Sequence, residues 1–352
     1  MPSDRIKARI VDSQKTIIQT MKLMDERFVK SLLVFEKEKF LGMITNGDLQ
    51  RAIIANKPFD TKIGFLVNNS EKKYAHVNDD KELIKSWMLE VRAEIMPVLD
   101  DNGDLTDIIF WNDLFKDRKP GLKQFNLPVV IMAGGKGERL KPLTNIFPKP
   151  LIPVGEKTII ETIMDKFVAH GCHDFHISVN YKADVIRNYF EQLGNPEYIV
   201  SFFQEDKPMG TAGSLRLLKN IINETFFVSN CDILINDDYA AVLDYHHENN
   251  NELTVVGAIK TYTIPYGTIT TGKNGLIERL EEKPDLTFKI NTGFYILEPS
   301  LLDDIPDDFF HITHLMEQLQ NQGRRIGVYP ISQNDWQDMG DWHEYLKMIN
   351  VL

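Results

Sequence analysis

The stretch Ala133-Gly-Gly-Lys-Gly-Glu-Arg-Leu-Lys-Pro-Leu-Thr144, followed by Pro148-Lys-Pro150, has the residue types that phosphate chemistry needs. Gly134, Gly135 and Gly137 let the backbone pass close to a triphosphate and turn its amides towards it, while Lys136, Arg139, Lys141 and Lys149 gather positive charge nearby. In-line displacement at phosphorus is accelerated mainly by positioning and by neutralising charge, so such a loop can serve catalysis as well as binding. A glycine-rich turn after a strand is by itself weak evidence. Here the order of glycines, Arg139 and Pro-Lys-Pro distinguishes it from the Walker loop, which requires Gly-Lys-Ser/Thr, and from the dinucleotide fingerprint. Far downstream, Asn230-Cys-Asp232 and Trp336-Gln-Asp-Met-Gly340 each supply a carboxylate. Two carboxylates brought together from distant segments suit Mg²⁺, a hard cation that takes few protein oxygens and completes its shell with water and phosphates. Taken singly, an Asp at a strand end is more often a turn former.

Elements of matching length surround these residues. The loop follows the apolar run Val129-Val-Ile-Met132, and Asn230 follows the strand-like Thr225-Phe-Phe-Val-Ser229. Between them the pattern alternates: a helix near Ile159 to His170, the strand Phe175 to Val179, a helix near Ala183 to Leu193, the strand Ile199 to Phe203 and a helix from Ser214. That alternation predicts an α/β domain, a Rossmann-like, mixed but mostly parallel sheet covered on both faces, with ligands beyond the carboxyl ends of its strands.

On these motifs the segment from Leu127 to Leu352 resembles the nucleotidyltransferases that make nucleotide sugars, the family of mannose 1-phosphate guanylyltransferase and glucose 1-phosphate thymidylyltransferase. The resemblance implies that Arg139 and Lys149 stabilise the triphosphate and the charge developing at the α-phosphorus, that Asp232 is catalytic, and that Asp232 and Asp338 hold Mg²⁺. Gln204-Glu-Asp-Lys-Pro-Met-Gly-Thr-Ala-Gly-Ser-Leu215 resembles the segment that wraps the nucleobase, with Glu205, Gly210 and Thr211 as contacts; Gly-Thr-Ala-Gly alone would read as a capped turn. Tyr266-Gly267, Glu281-Glu-Lys-Pro284 and Asn291-Thr-Gly-Phe294 resemble the sugar-phosphate pocket. Gly267 belongs to it, Glu282 would accept from sugar hydroxyls, Lys283 would pair with the 1-phosphate and Asn291 would orient the ring. Without the resemblance, Glu-Glu-Lys is a solvated surface. The implied substrates are a nucleoside triphosphate and a sugar 1-phosphate, with pyrophosphate released.

The N-terminal part contains a duplicated pattern. Ser31 to Phe35 and Phe40 to Thr45 form two short strands followed by a helix from Asn46 to Ile54; Ile95 to Leu99 and Leu105 to Phe110 repeat this, with a helix opening at Trp111. The repeat resembles a pair of cystathionine β-synthase (CBS) domains, a smaller α+β unit, with Gly42-Met-Ile-Thr-Asn-Gly-Asp48 as the best local match. That implies a purine nucleotide held by Thr45 and Asp48. Asp113 is retained in the second copy, but Phe110 stands where the hydroxyl residue is expected, and an oligomerisation platform weighs equally with nucleotide sensing. The charged Lys116-Asp-Arg-Lys-Pro-Gly121 marks the boundary, giving a CBS pair at 1–119, a linker at 120–126 and a catalytic domain at 127–352. A CBS pair on this catalytic domain, with the Gly-Thr-Ala-Gly variant, is similar to glucosamine 1-phosphate guanylyltransferases of bacterial sugar-nucleotide pathways. GTP and glucosamine 1-phosphate are therefore the expected substrates. A mannose or heptose 1-phosphate guanylyltransferase, or a uridylyl or thymidylyl relative, is the alternative enzyme; a sensor of nucleotide sugars is the non-enzymatic one.

Composition sets outer limits. A net charge of −11 over 352 residues argues against a nucleic-acid partner. Charges interrupt every apolar run before the roughly 18 residues a membrane helix needs, and residues 1–15 lack the apolar stretch of an export signal, so a cytoplasmic protein with no membrane partner is expected. Cys172 and Cys231 are too few for a disulfide framework, and the pairs His246-His247 and His311/His314 lack the spacing of a metal cage. No hexapeptide repeats follow Trp342, which argues against an acyltransferase domain there, and a homo-oligomer is expected.

Overall fold

The computed structural model describes residues 4–67, 72–115, 121–205, 207, 209–340 and 342–349. The chain divides into two compact units, Met1–Gly121 and Leu122–Leu352.

In the first unit the repeat is larger than the sequence pattern indicates. Each copy opens with an additional strand and helix, Ile10–Asp12 with Ile17–Arg27 and Ala75–His76 with Lys81–Val91. These strands, three and two residues long, are too short to show a period in the sequence. In both copies the opening strand pairs in parallel with the first strand of an antiparallel pair, Ser31–Glu36 with Lys39–Thr45 and Ile95–Leu99 with Leu105–Phe110. The likeness reaches the helix caps. Thr45 caps the helix Asn46–Ile54 through a reciprocal box with Asp48, whereas at Phe110 only the backbone half survives, its N–H donating to Asp113 Oδ2 at 3.0 Å.

The second unit is built on a seven-stranded sheet, ordered Ile199–Gln204, Asp174–Val179, Val129–Met132, Phe226–Asn230, Asp285–Leu297, Leu253–Thr263 and Ile326–Ser332. The first four run parallel, Asp285–Leu297 lies antiparallel to both its neighbours, and the last strand pairs in parallel. Strand alternation supplies apolar groups to both faces. Val130, Val228 and Tyr295 pack with Leu215, Leu301 and Leu315 on one side. On the other, Phe227 and Phe294 meet Phe167 of the helix Ile159–Val168 at ring-centroid distances of 5.4 and 5.7 Å.

Two local readings change. The helix expected from Ser214 begins at Gly210 as a single α-turn and continues as a 3₁₀ segment, Ser214–Leu218. The charged stretch 116–120, which includes the first residue of the linker expected at 120–126, lies outside the described residues, while residues from 122 onward are held on the second unit: Phe125 stacks on His170 at 5.0 Å, its N–H donates to His170 O, and Gln124 Nε2 donates to Ala169 O. An aromatic in a charged stretch was the available signal.

Candidate functional site

Chain order around the sheet creates the site. From Val129–Met132 the next two parallel strands are added on one side, and Phe226–Asn230 then joins on the other, so helical connections diverge at the carboxyl ends of these two central strands. That is the switch point at which open α/β sheets bind ligands. A cavity of about 590 Å³ lies there, walled by Met132, Gly134, Gly137, Arg139, Lys149, Glu205 and Asp232 among others.

The glycine loop is shaped by close contacts. Gly137 has φ +63°, and a Cβ on it would sit 2.8 Å from Thr144 Cγ2 and 3.1 Å from Lys149 Cβ. At Gly135 an added Cβ would meet nothing in the chain within 4 Å, so its small size serves the cavity and not the fold. Arg139 stands on the short 3₁₀ turn Glu138–Leu140 and Lys149 opens another, Lys149–Leu151. The segment between them is clamped by Lys182, whose ammonium donates to the carbonyls of Asn145 (2.7 Å), Ile146 (2.9 Å) and Thr144 (3.3 Å), capping the one-turn helix Leu143–Ile146. Sequence reading missed Lys182, since a lysine after a strand has no distinguishing pattern. Replacing it, Lys182→Met, should lower the melting midpoint by about 2–4 °C, as expected for losing a cationic cap in a unit of this size, and should speed amide exchange across 143–147.

Opposite the loop, Asp232 and Asp338 come together although they are far apart in sequence. The strand Ile233–Ile235 pairs antiparallel with Trp336–Asp338, and Met339 N–H donates to Asp232 O at 2.8 Å. Lys149 and Asp232 are both buried and form a direct ion pair. Asp338 Oδ1 accepts from Gly340 N–H at 2.7 Å. Burial, with Asp232 nearby, pushes the Asp338 carboxyl above the ordinary range, against the pull of Gly340 N–H, Lys149 and Arg139. The donor chemistry suits a hard cation, since carboxylate oxygens of Asp232, in the cavity wall, and Asp338 both approach Gly340; the Lys149 ammonium paired with Asp232 would have to share that carboxylate with it. Burial first, then Asp232, likewise pushes the Cys231 thiol up to about 12, so it stays an inert neighbour.

Glu205, Gly210 and Thr211 also line the cavity. Glu205 is buried, and its Oε2 accepts from Met209 N–H at 2.7 Å, closing the loop in which Asp206 and Pro208 lie outside the described residues. Gly210 has φ +82° and would put a Cβ 2.7 Å from Phe310 O. The sugar-phosphate set is placed differently. Glu282 and Lys283 are exposed beside the hairpin Thr268–Thr271/Ile277–Glu281, with Glu282 Oε2 3.0 Å from where a Gly267 Cβ would be. Neither they nor Gly267 and Asn291 are among the described residues walling the cavity. Asn291 Oδ1 accepts from Gly293 N–H, and a Cβ on Gly293 would come within 2.3 Å of Asn230 Nδ2, so this strand meets the cavity edge through Asn230. Ser178 and Phe309 are wall residues that motif reading passed over, and Asn230 and Gly340 line the wall too, having been part of motifs in which they carried no assigned role. Among the described residues no three His, Cys, Asp or Glu side chains gather as a metal cluster, and no helix is long and apolar enough to cross a membrane.

A glycine-rich loop at the switch point of a mostly parallel sheet, with two aspartates and a lysine close by, is the arrangement of an α/β domain with a ligand cavity beyond its strand ends. Residues 128–352 match the family model described as "Nucleotidyl transferase", and the chain belongs to that family; residues 6–55 match the CBS domain model. It is 34% identical over 230 residues to the mannose-1-phosphate guanyltransferase of Yarrowia lipolytica, covering 62% of this chain and 61% of that one. With the UTP–glucose-1-phosphate uridylyltransferase of Synechocystis it shares 29% identity over 248 residues, covering 63% and 62%. The chain thus spans about three fifths of the length of these curated relatives. The crystal structure of HddC from Yersinia pseudotuberculosis in complex with GMP-PN superposes with a TM-score of 0.51 at 25% identity, covering 64% of this chain and 99% of that one.

Proposed function

We propose that this protein transfers a nucleoside monophosphate from a nucleoside triphosphate to a sugar 1-phosphate, forming a nucleotide sugar and releasing pyrophosphate. The observation that carries the reading is the convergence of Arg139, Lys149 and Asp232 on one cavity with the glycine loop. A phosphate oxygen of the sugar phosphate attacks the α-phosphorus, the bond from that phosphorus to the bridging oxygen breaks, and pyrophosphate departs with the bond's electron pair. The amides around Gly134, Gly135 and Gly137 orient the triphosphate; Arg139 and Lys149 offset charge on the phosphoryl oxygens. Mg²⁺, held by Asp232 and Asp338, would add further charge neutralisation on the triphosphate.

GTP with glucosamine 1-phosphate is the substrate pair we favour. Support comes from the Gly-Thr-Ala-Gly variant and from the guanylyltransferases among the relatives, although the uridylyltransferase among them keeps UTP in play. Pyrophosphate release should be measured with Mg²⁺ and GTP, UTP, dTTP, CTP or ATP crossed against glucosamine, mannose, glucose and heptose 1-phosphates. Release only with GTP and glucosamine 1-phosphate supports the full assignment; release in another combination replaces the substrates, and silence throughout sinks the activity.

For the CBS part we propose a purine nucleotide at Thr45 and Asp48. In the structure Asp48 Oδ2 already accepts from Thr45 N–H and Oγ1–H, both at 2.8 Å, and pairs with Lys72 at 2.7 Å; burial opposes ionisation, but these partners together hold the carboxyl below its usual range. A ribose must compete with this cap, so weak binding is expected. AMP titrated into the full chain should give heat that disappears in Thr45→Val; no heat from the parent protein would leave the platform reading.

A further inference from the structure

Phe309 is a large apolar residue left 54% exposed, and among the described residues that wall the cavity it is the one aromatic. Its exposure contributes nothing to folding, whereas its neighbour Phe310 packs against the core. The segment holding Phe309 is fixed to the loop expected to wrap the base. Phe310 N–H donates to Met209 O at 2.8 Å, and the N–H groups of Ala212 and Gly213 donate to Phe310 O at 3.0 and 2.9 Å. Thr211 Oγ1 accepts from Ile312 N–H at 3.1 Å. The glycines make this approach possible: a Cβ on Gly210 would lie 2.7 Å from Phe310 O, and one on Gly213 would lie 2.9 Å from Asp308 O. The His311 ring lies nearly perpendicular to the Phe309 ring at a centroid distance of 4.7 Å, and its Nδ1 lies 3.3 Å from both Thr211 N and Oγ1. The ring is therefore held at the cavity by a braced segment.

We propose that Phe309 is the stacking surface for the nucleobase and that it favours purines, whose larger π-face gains more from one aromatic wall. The inference rests on the nucleotide reading of the site and adds a specificity-determining residue to it. The groups proposed to bind phosphate lie on the glycine loop and at Lys149, whereas Phe309 stands on the segment bonded to Met209–Gly213, so it would act on the base and leave the triphosphate untouched.

Calorimetry on the full chain, with no sugar phosphate present, tests this with GTP, UTP and inorganic tripolyphosphate as probes. Phe309→Ala should weaken GTP about tenfold, the loss carried by one base–aromatic stack, and UTP by less. Tripolyphosphate affinity should not change, and Phe309→Tyr should retain GTP binding. Unchanged GTP affinity in Phe309→Ala, or an equal loss for tripolyphosphate, overturns the stacking role alone. A parent protein that binds tripolyphosphate but no nucleotide overturns the base site and this inference together.

Discussion

Asp232→Asn should abolish nucleotidyl transfer almost completely while leaving the fold intact. The substitution keeps size and shape at a residue whose backbone carbonyl, not its carboxylate, holds the strand pair through Met339 N–H. What is lost is charge, and with it the partner of Lys149 and half of the proposed Mg²⁺ site. Removing a single preorganised electrostatic group at a reacting oxygen typically reduces turnover by about 10²–10³, and loss of a metal ligand adds to that, so a fall of at least about a thousandfold is expected. Because Lys149 would then be buried beside a neutral amide, a drop in melting midpoint of several degrees should accompany it. Steady-state pyrophosphate release and a thermal melt on the same preparation decide the matter. A variant that retains a tenth of parental turnover removes Asp232 from the mechanism, and one that does not fold calls for Asp232→Glu in its place.

The fold was legible where periodicity was strong. The strands Val129–Met132 and Asp174–Val179 and the helix Ala183–Leu193 stand close to where alternation and amphipathic spacing put them. Elements of two or three residues, such as Ile233–Ile235 and Trp336–Asp338, left no period to read, although their pairing is what brings Asp232 and Asp338 together. Motif order, not local pattern, located those carboxylates. The glycine loop was readable because its physics is local: a positive φ at Gly137 and close packing on Thr144 require glycine there. Lys182 and Phe309 were not readable, because each acts through a contact set by the tertiary fold. Lys182 reaches carbonyls some 36 to 38 residues away, and Phe309 stands on a segment that only the folded chain lays against Gly210–Gly213. The sugar set shows the opposite problem. Gly267 and Glu282 adjoin one another, yet they flank an exposed hairpin and do not line the cavity, so their role requires an approach that sequence spacing does not describe.

Gly340→Ala should cost more activity than its one added methyl group would imply. A Cβ built on Gly340 would lie 2.6 Å from Asp338 Oδ1, 3.0 Å from an Arg139 guanidinium nitrogen and 3.3 Å from Asp232 Oδ2. Three groups assigned to the reaction thus converge on the space that glycine leaves open. All three contacts are with the ends of side chains, which can give way by rotating, so the backbone need not move and the fold should lose little stability. Their displacement, however, moves the carboxylates and the guanidinium by an amount comparable to the overlap. A misplacement of about 1 Å in a positioned site costs on the order of a hundredfold in rate. The expected result is a fall in kcat of about that size, with the melting midpoint within a degree or two of the parent. Nucleotide affinity should decline less than turnover, because the glycine loop and the Gly210–Thr211 end of the cavity are untouched. Combining Gly340→Ala with Asp338→Asn gives a sharper test, since both act through the same carboxylate: the double variant should be little worse than the poorer single one. Multiplied losses would mean that Gly340 acts through Arg139 and Asp232 and not through the Asp338 carboxylate.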